Sequence, residues 1–212
     1  MTRVLVALLA AAALAGCAAA PAEQRKDGAA GAAVVSVRPD TDGYAGAVLD
    51  RPYRKPRGAF TDTSGRPFDW TRTKPVTIVF FGYTACPDVC NTVMADVAAA
   101  LRRVEPSVRS RVDVVLVTTD PARDTPRVLR KWLDAFDPTF EGVTAPLPTI
   151  EAAASQLAVG LELGKRLPSG GYEVTHGAQL IGFGPDGLGR LVWTEGTPVG
   201  ALRQDVIRLS ST

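Results

Sequence analysis

The chain has 212 residues, 46% of them hydrophobic, which is enough to bury a sizeable core. Its 24 basic and 22 acidic side chains nearly balance and form no basic block, which argues against nucleic acid as a partner. Three cysteines and one histidine leave very few residues for soft-metal or redox chemistry.

Residues 1–16 read as an export signal: Arg3 precedes an apolar run, Val4 to Leu14, and small residues follow it. Leu14-Ala-Gly-Cys17 resembles the lipobox of bacterial lipoproteins, which implies cleavage before Cys17 and lipidation of its sulfur. A membrane span fits less well, because the run is Ala-rich, close to the minimum length, and lacks a basic stop. Either way the domain lies outside the cytoplasm, where disulfides persist. Residues 17–45, rich in Ala and Gly without an apolar period, read as the lipidated cysteine and a flexible tether with a reach of about 30 Å. Residues 46–212 read as one domain.

Within it, Gly58 to Asp69 reads as a small hairpin turning at Ser64-Gly65. Val76 to Phe81 is apolar on both faces, as a central strand is. Asn91 to about Val104 carries Val93, Val97, Leu101 and Val104 at helical spacing. Val112 to Val117 is a second buried strand. Pro126 to Phe136 reads as a helix capped by Thr125, Phe140 to Val143 as a short strand and Thr149 to Leu157 as a helix. Glu173 to Thr175, Gln179 to Phe183 and Arg190 to Trp193 read as strands, with a turn at Pro185 to Gly189. Pro198 to Leu209 closes as a helix. Strands alternating with helices, then a late hairpin, point to an α/β layered sheet.

Cys86-Pro-Asp-Val-Cys90 lies where the first buried strand turns into a helix, a place where sites tend to open. Pro87 favours an extended Cys86 and suits the first turn of a helix, which predicts Cys86 as N-cap and Cys90 one turn on. Residues four apart on a helix share a face, so the sulfurs can converge on one metal ion or close a disulfide. A purely stabilising disulfide is the alternative, although so short a loop gains little from it. His176 sits between glycines in a bendable stretch and reads from the residues alone as an incidental surface histidine. If it meets the two sulfurs, the three donors suit Cu(I), and Cu(II) with a further weak ligand. Met94, four residues beyond Cys90, reads as core.

These segments resemble the SCO/SenC family of copper-binding, thioredoxin-like proteins. Phe81-Gly-Tyr-Thr-Ala-Cys-Pro-Asp-Val-Cys90 is similar to the family's FGYTxCPDVC, and Thr119-Asp-Pro-Ala-Arg-Asp-Thr-Pro126 to its DPxRDTP. Phe140 to Thr144 is similar to FxGLTG, and Tyr172 to His176 to YxVDH, with a Pro-x-Gly turn after it. The resemblance implies a thioredoxin-like fold, a central mixed sheet flanked by helices, with an N-terminal hairpin and an inserted hairpin near His176. It implies copper bound by Cys86, Cys90 and His176, and assistance to the copper A centre of cytochrome c oxidase, with a copper chaperone or thiol reductant as a further partner. Asp120 and Asp124 match acidic positions that orient the site or meet the partner; capping is their plainer role. The chain departs from the pattern at Ala85, Asn91, Thr175, Gly177 and Gly184, where histidine, proline, aspartate, serine and aspartate are usual. Thr175 removes a carboxylate that commonly fixes a ligand histidine, which weakens the copper expectation.

Two functions follow as expectations: a membrane-tethered, extracytoplasmic copper metallochaperone, or a thiol–disulfide oxidoreductase using Cys86 and Cys90 as a redox pair on an oxidase subunit or other exported proteins. A peroxidase-like thioredoxin relative is a third, but its single peroxidatic cysteine with an activating Arg is not evident.

Overall fold

The structure, a computed structural model, describes residues 43–87, 89–168 and 172–211, all within one compact unit spanning residues 32–212. The export signal, Cys17 and most of the tether lie outside the described residues. Among the described residues, no helix is long and apolar enough to cross a membrane.

An eight-stranded mixed sheet forms the middle layer. Its strands are β1 (Ala47–Arg54), β2 (Phe60–Asp62), β3 (Pro67–Phe68), β4 (Val76–Gly82), β5 (Val112–Thr118), β6 (Glu141–Thr144), β9 (Leu180–Phe183) and β10 (Leu188–Trp193), in the order β1-β10-β9-β4-β5-β6-β2-β3. A separate two-stranded hairpin pairs β7 (Leu161–Arg166) with β8 (Tyr172–His176). The helices are α1 (Val89–Leu101), α2 (Pro106–Arg109), α3 (Pro126–Leu133), α4 (Leu147–Gln156) and α5 (Val199–Leu209).

Every residue of β4 is buried. It pairs in parallel with β5 and antiparallel with β9, so it has no solvent edge. Its alternation sends Val76, Ile78 and Phe80 into a core with α1, α3 and α5, and Val79 and Phe81 into a second core with α4 and Trp70. Each fully buried large side chain contributes about 1.5–3 kcal/mol. The end of β4 is therefore a rigid platform for whatever follows it.

Most expected elements appear within a few residues of their bounds. The early hairpin forms as β2–β3, with Gly65 at φ +81° and Gly65 N–H donating to the Asp62 carbonyl at 3.0 Å. The hairpin expected near His176 is present as β7–β8, whereas strand β1, helix α2 and a single 3-10 turn at Trp70–Arg72 were not expected. Strand β1 covers the edge beside β10, broken by a register shift between Val48 and Tyr53. Pro52 and the Asp50-Arg51 pair interrupt its alternation, as edge strands tolerate. Helix α2 is a short turn of four residues, and β7 supplies the other half of the hairpin that carries His176. Helix α4 starts at Leu147 rather than Thr149, with Pro146 as its cap.

Asp205 of α5 is a buried clasp at the start of the domain. Its carboxylate accepts from Ala45 N–H at 3.0 Å, Gly46 N–H at 2.8 Å and Trp193 Nε1–H at 2.8 Å. Tyr44 packs against the core beside it.

Candidate metal site

The site starts at the C-terminal end of β4. Gly82 ends the strand, and a Cβ there would lie 2.7 Å from the Phe80 ring and 3.1 Å from Cys90 Sγ. Only glycine lets the Cys90 sulfur approach the strand this closely. The chain then turns, and Cys86 N–H donates to the Tyr83 carbonyl at 3.2 Å. That turn corrects the expected cap: Cys86 lies in the loop, and α1 begins at Val89, making Cys90 its second residue. The helix starts later because the chain first completes the Tyr83–Cys86 turn. Cys86 is 7% exposed and Cys90 fully buried, and both are free thiols.

His176 is the last residue of β8, opposite Leu161. Its Nε2 lies 3.4 Å from Cys90 Sγ. Its Nδ1 is 3.1 Å from the Gly177 carbonyl. A carbonyl only accepts, so Nδ1 carries the proton and Nε2 turns its lone pair toward the sulfur. The orienting role usual for a carboxylate thus falls to a backbone oxygen; Thr175 is exposed. The donor atoms of Cys86, Cys90 and His176 all lie within 4.8 Å of one another. The expected triad is brought together, and the reading of His176 as an incidental surface residue is overturned. Met94 is fully buried in the core.

Burial disfavours charge on two of the three donors, Cys90 and His176. Burial, then the neighbouring Cys86 side chain, push the Cys90 thiol well above its ordinary range, against a smaller pull from the Tyr83 backbone. Burial also lowers the basicity of His176, partly offset by the Gly177 carbonyl. Exchange of both thiol protons for one Cu(I) leaves the two sulfurs, the neutral imidazole and the ion with one net negative charge, whereas a divalent ion leaves them neutral.

The two acidic residues have separate jobs. Asp124 is fully buried and ties the cysteine loop to the end of β5. It accepts from Thr84 N–H at 3.0 Å, Thr84 Oγ1 at 2.6 Å and Thr118 Oγ1 at 2.6 Å. It does not cap α3; Thr125 does, accepting from Val128 N–H. Asp120, 2% exposed, pairs with Arg123. The sequence reading assigned no role to Gly82, Tyr83, Thr84 or Arg123, although all four stand inside the motif segments. The signal was their adjacency to Cys86 and Asp120.

A thioredoxin-like α/β domain with two cysteines and a histidine converging at the end of its central strand defines a narrow class. The chain belongs to the SCO1/SenC family, whose model matches residues 51–210. It is 32% identical over 142 residues to a putative copper-binding protein of Stutzerimonas stutzeri, covering 66% of this chain and 69% of that one. It is 25% identical to the mitochondrial protein SCO2 of Saccharomyces cerevisiae over 68% of this chain, but spans only 47% of that longer protein. Among solved structures it resembles Bradyrhizobium japonicum ScoI with copper bound, at TM-score 0.63 and 26% identity, covering 75% of this chain and 98% of that one.

Proposed function

We propose that this protein is an exported, lipid-anchored copper carrier that helps build the copper A centre of cytochrome c oxidase. The observation that carries the reading is the convergence of Cys86, Cys90 and His176 donor atoms within 4.8 Å. Two sulfurs and one imidazole nitrogen are a compact soft set that suits Cu(I). Copper is cargo here: it displaces the two thiol protons on entry and leaves by exchange onto an acceptor's thiolates. The copper-bound relative and the copper-binding name of the Stutzerimonas protein support the same ligand. Export and lipidation at Cys17 would hold the domain at the outer face of a bacterial membrane, near an oxidase subunit facing the same compartment.

Copper titration of the reduced protein against a chromophoric Cu(I) chelator tests the site. One Cu(I) per chain is expected, weakened in His176→Ala and lost in Cys86→Ser or Cys90→Ser. Unchanged binding in either serine variant refutes the assignment. Cys17→Ser should release the protein into the soluble exported fraction. A strain lacking the gene should assemble oxidase deficient in its copper A centre; a fully loaded oxidase there refutes the assembly role.

A further inference from the structure

We propose that Tyr83 and Arg123 are positioning residues for the His176 imidazole, with Asp120 as their anchor in the sheet. His176 belongs to the β7–β8 hairpin, which among the described residues is not paired with the main sheet, so the strand that leads into the cysteine loop does not itself fix the ring. The Tyr83 ring meets the imidazole edge to face, with centroids 5.8 Å apart and planes at 79°. Phe80 meets it similarly at 6.0 Å and 74°. The Arg123 guanidinium carbon lies 5.9 Å from the centroid of the Tyr83 ring. Arg123 in turn pairs with Asp120, whose N–H donates to Thr118 Oγ1 at 3.0 Å at the end of β5.

These contacts run unbroken from the sheet to the ligand ring: Thr118, Asp120, Arg123, Tyr83, His176. Asp120 gives one carboxylate oxygen to Arg123, while the other is buried without a protein partner among the described residues. Tyr83 also touches the sulfur half of the site, because its carbonyl accepts from Cys86 N–H at 3.2 Å. One residue thereby sets the loop of the first sulfur and a wall for the nitrogen donor. The Tyr83 ring thus has the guanidinium over its face and the imidazole in near-perpendicular contact. As regards copper, the inference rests on the carrier reading above; as regards the ring, it does not.

Because His176 is the chain's single histidine, imidazole NMR signals of the reduced, metal-free protein report on it alone. The parent should show one ring with ring-current-shifted protons and the Nδ1–H tautomer, and Tyr83→Phe should retain both. Tyr83→Leu should move the signals toward those of a free histidine and loosen Cu(I) by about 10-fold. The paired change Asp120→Asn with Arg123→Leu, which leaves no lone buried charge, should shift the ring signals in the same direction by less. Folded Tyr83→Leu with parental ring signals overturns the proposal. If that variant does not fold, parental signals in the folded paired variant overturn it. Expected ring shifts in a parent that binds no Cu(I) support the positioning and refute only the carrier reading.

Discussion

His176 Nε2 stands 3.4 Å from Cys90 Sγ although 86 positions separate the two residues. The contact joins a buried helix start to the end of a hairpin strand. It is also where a neutral acceptor meets a thiol kept protonated by burial.

Gly82→Ala places a methyl group 2.7 Å from the Phe80 ring and 3.1 Å from Cys90 Sγ. Neither the core ring nor the helix start moves freely, so the variant should lose about 1–3 kcal/mol. Chemical denaturation measures the loss, and Cu(I) competition should show weaker binding. Full stability together with full copper affinity contradicts the close approach.

Asp124 gives a pH dependence of known sign. Burial raises its carboxyl above the ordinary 3.8, against hydrogen bonds from Thr118 and Thr84 that pull it down. A raised folded value means that its contribution to stability is complete below the ordinary value and is lost as pH climbs through the folded one. The stability of the parent minus that of Asp124→Asn should therefore shrink as pH rises from about 4. A difference that grows with pH contradicts this assignment.

Asp205→Ala removes the acceptor for Ala45 N–H, Gly46 N–H and Trp193 Nε1–H. The indole is buried, so the cost should be about 2–4 kcal/mol. Amide exchange at Ala45 and Gly46 should accelerate before the sheet does. Unchanged protection there argues that the clasp is incidental.

Ala158 adopts φ +51°, the left-handed region that L side chains avoid. Ala158→Gly relieves that strain, offset by the greater freedom of glycine when unfolded, for a net gain of about 0.5 kcal/mol. A thermal melt that falls instead of rising refutes the strain.

The sequence carried the centre of this fold better than its margins. Val76 to Phe81 and Val112 to Val117 are apolar on both faces because both sheet faces are covered, so they read as central strands at once. Cys86 and Cys90 read correctly as a site at a strand-to-helix turn, but the local turn from Tyr83 displaced Cys86 from its expected cap. Strand β1 stayed hidden because edge pairing needs no clean alternation. The place of His176 was not legible in spacing at all. It depends on the hairpin's register and on Gly177 N–H donating to the Gly160 carbonyl at 2.9 Å, both long-range facts; only the family resemblance anticipated it. The role of Asp124 was hidden for the same reason, since Thr84 is distant along the chain.

The sulfur donors and the nitrogen donor belong to different mechanical parts. One part is the loop and helix start that follow the central strand; the other is a hairpin whose two strands, among the described residues, share no backbone ladder with the main sheet. Altering that hairpin in length or composition costs none of the sheet's own ladder bonds. Sequence drift there can retune which ion is preferred, or how readily it departs, while the remainder of the molecule keeps its shape.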